Sequence, residues 1–386
     1  MRSHRNTDLI NQLTTKDNPP VKSPHKSQHP KESAAQVTTT TTEIDGELLC
    51  YSTIHNPTPD IEAMKATSDP DTMYMHQAMK EKDKEFFKQA MKKEWKDQIE
   101  NGNFILRHIN EIPPNATILP AVWQMKQKRC IKTRQVKKYK ARLNIDGSKM
   151  RPGVHYDQMR SYAPVASRNS IRLLLTLCAL NNWHTTQIDY VLAFPQAPVE
   201  RTIYMKIPKG YQMENADTSK YVLEIKRNIY GQVQAGRVWN DYLTDKLVHK
   251  LGFKQSQTDK CMFYRGKTIY LLYTDDSILA GPDQQEIDKI IREIRSIGLN
   301  ITVEGNIQDF LGINITRKED GSIHMHQPHL IDDIIKDLRL DNERVKVKDI
   351  PMASSRLLSY HSDSPSFDNH FDYRSLIGKL LYLFNH

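Results

Sequence analysis

Two successive aspartates, Asp275 and Asp276, stand between runs suited to burial. Thr268-Ile269-Tyr270-Leu271-Leu272 precedes Tyr273-Thr274, and Ile278-Leu279-Ala280 follows the acids. The flanks read as strands and the polar pair as the turn between them, which predicts a β-hairpin with two carboxylates at its tip. Ordinary turn chemistry also places Asp at such positions. Two adjacent carboxylates repel, however, and a pair of divalent cations is the obvious partner. A third carboxylate, Asp189, lies in His184-Thr-Thr-Gln-Ile-Asp-Tyr-Val-Leu-Ala-Phe194, which reads as a strand running into a turn at Pro195. An Asp in a buryable strand is costly unless paired or metal-bound; an Asp capping a strand end is the plainer alternative. Two strands that each bring carboxylate to one point can hold two Mg2+ ions, the arrangement suited to in-line displacement at phosphorus.

The remaining chain is organised around this feature. Residues 1–73 are polar, with Pro19-Pro20, a Thr38 to Thr42 run and few aromatics; they read as a disordered linker. Asp83 to Asn101 carries Phe87, Met91, Trp95 and Ile99 on one helical stripe, with Gly102 as the stop. Ile118 to Lys128 and Thr133 to Ile145 read as strands. Further helices are expected from Asn169 or Ser170 to Asn181, over 234–251 with Trp239, Leu243, Leu247 and Leu251 in line, over 283–297, over 330–338 and over 373–383. Phe310 to Thr316 and Ser322 to His326 are expected to pair across Asp320-Gly321. The stretch 345–369 reads as a connector. Helices and hairpins in mixed order indicate an α+β fold.

Charge supplies a second constraint. The 386-residue chain has a formal net charge of +9. Its cations concentrate at Lys126, Lys128, Arg129, Lys132, Arg134, Lys137, Lys138, Lys140 and Arg142, with no Asp or Glu in that run. A solvated face is the common reason for such a run; without compensating acids it favours a phosphate-rich partner. Cys50, Cys130, Cys178 and Cys261 are widely spaced and read as reduced thiols of an intracellular protein, not a zinc or disulfide framework. His324, His326 and His329 read as strand and loop surface. The apolar run Leu173 to Leu180 is too short to span a bilayer.

Several motifs together resemble one family. Asp189-Tyr-Val-Leu-Ala-Phe194 resembles the first metal-binding motif of reverse transcriptases, and Tyr273-Thr-Asp-Asp276 resembles their Tyr-x-Asp-Asp box. Ile229-Tyr-Gly-Gln-Val-Gln-Ala-Gly-Arg-Val-Trp239 is similar to a segment of copia-type LTR retrotransposons. Tyr139-Lys-Ala-Arg-Leu143, Tyr162-Ala-Pro-Val-Ala166, Ile203-Tyr-Met-Lys-Ile-Pro-Lys-Gly210, Gly252-Phe253 with Ser256, Asp259 and Cys261, Phe310-Leu-Gly-Ile313 and Tyr373 to Tyr382 keep the family's order. The resemblance covers about residues 74 to 386.

The resemblance implies a right-hand polymerase: fingers and palm over 74–327, and a thumb or connection over 328–386 that stops before an RNase H domain. It implies an RNA-directed DNA polymerase that adds dNTPs to a primer on an RNA or DNA template. Asp189, Asp275 and Asp276 would be catalytic and would bind two Mg2+ ions, with Mn2+ as an alternative. Lys140 and Arg142 would hold the triphosphate. Phe194 would be a steric gate against ribose, and Tyr230, Gly231 and Gln234 would lie near the nucleotide. Phe310, Leu311 and Gly312 would form the primer grip. No membrane partner is expected; the RNase H and integrase regions of a parent polyprotein are expected to be absent. Action in a cytoplasmic particle or the nucleus is equally compatible. Three positions depart from the family pattern: Thr274 replaces the usual Val, Gln232 the usual Leu and Val233 the usual Lys. A decayed, non-catalytic nucleic-acid-binding remnant is the alternative. An RNA-directed RNA polymerase is a weaker one, against which Phe194 argues.

Overall fold

The computed structural model describes residues 13–15, 71–129, 135–213, 217–341 and 371–385. The rest of the polar N-terminal segment to residue 70, Cys50, Cys130, Lys132, Arg134 and the expected connector over 345–369 lie outside the described residues. The chain divides into two units: residues 1–149 with 203–225, and residues 150–202 with 226–386.

In the first unit the helix Lys84–Glu100 buries Phe87, Met91 and Trp95, the stripe expected from their spacing. Gly102 follows it with a φ of +64°, a conformation open to glycine at no steric cost. The helix packs on the strand Val136–Ile145, which pairs antiparallel with Ala121–Arg129; Thr72–Tyr74 adds a third strand. Residues 72 and 73 therefore belong to a strand, although they fall in the segment expected to be disordered. Leu13–Thr15 likewise pairs with Tyr211–Met213. The single strand expected over 118–128 is two. Pro120, which has no N–H to give to a ladder, separates Ile118–Leu119, parallel to Tyr204–Met205, from the hairpin strand Ala121–Arg129.

The second unit is built on a six-stranded antiparallel sheet. Its order is Lys254–Gln255, Met262–Arg265, Thr268–Tyr273, Asp276–Gly281, His184–Tyr190 and Ile301–Gly305. Its middle strands are buried on both faces, which explains why 268–272 and 278–280 read as unbroken apolar runs instead of alternating ones. Three helices cover them: Arg168–Leu180, Ala235–Asp245 and Gln284–Ser296. Leu174, Leu243 and Ile290 join Ile188, Leu271 and Ile278 in one core. The first of these helices is capped by the Ser167 side chain, which accepts from Ser170 N–H, not by Asn169 or Ser170. The second continues as a π-helical turn, Lys246–Lys250.

The expected strand Phe310 to Thr316 is also two pieces. Asp309–Phe310 turns back on Ile313–Arg317 through Leu311 and Gly312, with φ of 54° and 72°. Ile313–Arg317 then pairs with Ile323–His326. The helices Pro328–Asp337 and Tyr373–Asn385 follow, joined by a Lys379–Asp337 ion pair. Among the described residues no helix is long and apolar enough to cross a membrane. The architecture is α+β, as expected.

Asp259 shows how a loop of this unit is held. Its carboxylate accepts from Ser167 N–H (2.9 Å), Ser170 Oγ (2.5 Å) and Cys261 N–H (2.9 Å). Burial alone would raise its pKa, but these donors outweigh that and hold it below the ordinary carboxylate value. Asp259→Asn is expected to cost about 1.5–3 kcal/mol near neutral pH, the range for hydrogen bonds to a charged acceptor. Because the folded-state pKa is depressed, this stabilisation is present above the unfolded carboxylate pKa and is lost as pH falls through the folded one. Urea unfolding of the variant and the parent at a series of pH values should show the gap closing in acid. A gap independent of pH would contradict this reading.

Cys178 and Cys261 are buried free thiols, raised by burial to about 11 and about 12, and so inert at neutral pH. His324 and His326 stack on one strand, with ring centroids 5.2 Å apart.

Candidate active site

The acidic turn is built by strand register. Tyr273 pairs with Asp276, so the two turn residues are Thr274 and Asp275, not the acidic pair Asp275-Asp276 that the sequence suggests: Asp276 already belongs to the strand. Thr274 has a φ of 58°, a left-handed conformation that a β-branched residue rarely adopts. Valine there would meet the same strain, so the Thr-for-Val departure is neutral in this respect. On its other edge the strand Asp276–Gly281 pairs with His184–Tyr190 and sets Asp276 directly opposite Asp189. Tyr190 N–H donates to the Asp275 carbonyl at 3.0 Å. The structure thus brings the three expected carboxylates onto two neighbouring strands and the turn beside them. All three residues are half-buried.

Like charges facing each other across a ladder destabilise it. Burial, followed by the charges of Asp275, Asp189, Glu304 and Asp309, pushes the Asp276 carboxyl up to about 6. A bound cation would relieve this repulsion. Among the described residues no group of three or more His, Cys, Asp or Glu is placed so that it could hold a metal ion. Mg2+ usually takes one or two carboxylates and completes its shell with water and substrate phosphate oxygens, so this donor set fits it.

Beneath the acids runs a buried chain of hydroxyls. Tyr190 Oη lies 2.8 Å from Tyr270 Oη, which donates to Ser277 Oγ at 2.8 Å. Tyr190 follows Asp189 and Ser277 follows Asp276, so with side chains alternating they occupy the opposite face of the sheet. The chain ties three strands behind the carboxylates. Sequence reading missed it; the signal was the polar tips of Tyr270 and Ser277 within otherwise apolar runs.

Phe194 lies not in the strand but in a short helix, Ala193–Gln196, which contains Pro195. The strand ends at Tyr190, and Leu192 reverses the chain with a φ of 51°. The Gln196 amide holds this reversal. Its Nε2 donates to the carbonyls of Val191 (2.8 Å) and Asn300 (2.9 Å), and its Oε1 accepts from Asn300 N–H (2.9 Å). Phe194 is half-buried, its ring centroid 5.1 Å from that of Tyr230, so these two expected residues are brought together. Gly231, at a φ of 89°, makes the turn into the helix that carries Trp239. Gln232 Oε1 accepts from Ile229 N–H at 3.0 Å, which gives the departure from Leu a role in closing that turn. Val233 is exposed, whereas Gln234 is buried at 1% exposure and its Oε1 has no hydrogen-bond partner.

Phe310, at 1% exposure, meets Tyr273 edge-to-face at 6.4 Å, so the second hairpin lies beside the acidic one. Leu311 packs against the core, and its carbonyl accepts from Tyr382 Oη. Gly312 completes the turn.

Lys140 and Arg142 belong to the other unit, on the Val136–Ile145 strand. Lys140 lies opposite Lys126, Lys138 opposite Lys128, and Arg142 opposite Gln124. Alternation places Ala141 and Leu143 in the core and these cations on the other face. Burial, followed by the charges of Lys128, Arg142 and Lys138, lowers the Lys140 pKa to about 8. Such opposed cations call for an anion.

An antiparallel sheet whose central hairpin carries two aspartates, with a third on the adjoining strand, defines an α+β protein with a carboxylate-centred site. The chain belongs to the reverse transcriptase (RNA-dependent DNA polymerase) family, whose model matches residues 106–354. It is 31% identical over 325 residues to the retrovirus-related Pol polyprotein from transposon RE2 of Arabidopsis thaliana, covering 83% of this chain and 21% of that protein. It is 25% identical over 336 residues to the Pol polyprotein from transposon TNT 1-94 of Nicotiana tabacum, covering 84% of this chain and 24% of that one. A solved foamy viral protease-reverse transcriptase, in complex with double-stranded DNA, matches 64% of this chain and 36% of its own at 13% identity, with a TM-score of 0.36. The copia-type resemblance is borne out by the transposon relatives. The chain spans about a fifth of the length of these polyproteins.

Proposed function

We propose that this chain adds deoxynucleotides to a primer 3′-hydroxyl on an RNA template. The observation that carries the reading is the register that sets Asp276 opposite Asp189, with Asp275 at the adjoining turn. Asp189, Asp275 and Asp276 would hold two Mg2+ or Mn2+ ions, which when bound lower the pKa of the attacking hydroxyl and neutralise charge on the leaving pyrophosphate. The hydroxyl chain behind the strands keeps the carboxylates in place. Phe194, braced by Tyr230 and by the Gln196 clamp, presents an aromatic edge to the sugar of the incoming nucleotide. The turn at Leu311-Gly312 positions the primer end. On this reading the second unit is the palm with the start of a thumb, and the first unit the fingers. Extension of a DNA primer on an RNA template, with dNTPs and Mg2+, tests it. The second reading, a binding remnant without catalysis, draws on exposed Val233 standing where Lys is usual.

The opposed cations of the first unit bind phosphate, whether of the triphosphate or of the nucleic-acid backbone. Lys140 is charged below about pH 8 and neutral above it. Affinity for a labelled primer-template should therefore fall between pH 7 and pH 9, and Lys140→Arg, which stays charged, should flatten that fall. Identical pH profiles for the two proteins would remove Lys140 from the phosphate site.

A further inference from the structure

The turn that carries Asp275 is held from behind by a residue outside the carboxylate set. Trp239 is 1% exposed on the helix Ala235–Asp245. Its indole Nε1–H donates to the Thr274 carbonyl oxygen at 2.6 Å. That oxygen belongs to the peptide joining Thr274 to Asp275. Fixing this peptide plane restricts ψ of Thr274 and φ of Asp275, the two rotations that aim the Asp275 side chain. Restraint matters here because Thr274 stands at a φ of 58°, a strained conformation that persists only where the surroundings hold it. The same ring meets Tyr190 edge-on, with centroids 5.0 Å apart, and Tyr190 N–H donates to the Asp275 carbonyl. One side chain thus contacts the peptide before Asp275 and the residue after Asp189.

We infer that Trp239 is a positioning residue, whose N–H aims the Asp275 carboxylate through the Thr274 carbonyl. The inference rests on the proposed polymerase reading and adds to it a requirement for the indole donor, not merely for an aromatic ring. Phenylalanine would fill much of the same space and leave the peptide unrestrained.

The test compares the parent chain with Trp239→Phe. A second variant carries benzothienylalanine at 239, which keeps the bicyclic shape and replaces N–H by sulfur. Binding of Mn2+ alone, read from the free-ion EPR signal, is expected to weaken about fivefold or more in both variants. The melting temperature of the benzothienyl variant should shift by no more than about 4 °C, the scale of one lost hydrogen bond in a chain of this size. In primer extension kcat should fall about tenfold, with KM for dNTP changed less than threefold. Mn2+ affinity within twofold of the parent in the benzothienyl variant would overturn the inference, even if Trp239→Phe unfolds. A parent chain that binds Mn2+ but extends no primer would overturn the polymerase reading instead, and the Mn2+ comparison would still decide the role of Trp239.

Discussion

Asp275→Asn and Asp189→Asn should each abolish primer extension while leaving affinity for a primer-template within several-fold. Each substitution preserves size and removes one of the charges that would bind the catalytic ions. The several kcal/mol of transition-state stabilisation that such ions supply corresponds to a loss of roughly a thousandfold or more. Binding should persist because the cationic strand pair, with Lys126 opposite Lys140 and Lys128 opposite Lys138, is untouched. The substitutions should not unfold the protein, since they relieve repulsion between Asp189 and Asp276 or at the neighbouring turn. Turnover near the parent rate in either variant, measured with saturating Mg2+, would remove these residues from the chemistry.

Phe194→Ala should admit ribonucleotides. The ring is half-buried and supported on one side by Tyr230 at 5.1 Å. Its removal opens the space that a 2′-hydroxyl would need. Discrimination in kcat/KM between dNTP and rNTP should fall at least about tenfold, or about 1.4 kcal/mol between the two transition states. Activity with dNTP should fall less. An equal loss of both activities would show that the ring only packs. The short helix around Phe194 has its own clamp in Gln196, so Gln196→Ala provides a comparison in which the ring and its Tyr230 contact remain but the clamp on the helix is gone.

The elements that sequence reading recovered are those whose signal is local. The helix Gln284–Ser296 was legible because Ile287, Ile290, Ile291 and Ile294 repeat at helical spacing, and all four are buried. The acidic hairpin was legible because its flanks can only be buried. That Asp189 joins the pair was expected, but the register that sets Asp276 directly opposite it was not legible, because the pairing of distant strands leaves no local mark. Phe194 and Phe310 were misplaced for one shared reason. Leu192 and Leu311 adopt left-handed conformations that leucine disfavours by itself, so nothing at those positions announces a reversal. At 311 the following Gly312 was the available cue; at 192 the turn is held by Gln196, whose contact with Asn300 is non-local. Gln232 looked like a departure from the family and is instead a turn-closing acceptor. The cationic run was visible as composition, but the sorting of Lys138, Lys140 and Arg142 onto one face, with Ala141 and Leu143 on the other, required the strand register.

On the proposed reading, carboxylates from two strands support templated DNA synthesis. Single-nucleotide extension of a 5′-labelled DNA primer on an RNA template tests it most directly, with Mg2+ and each dNTP supplied separately. The parent chain should lengthen the primer by one residue only with the dNTP complementary to the template base, and Asp189→Asn should not. Tight binding of the same primer-template by a well-folded parent chain with no extension by any dNTP would contradict the account.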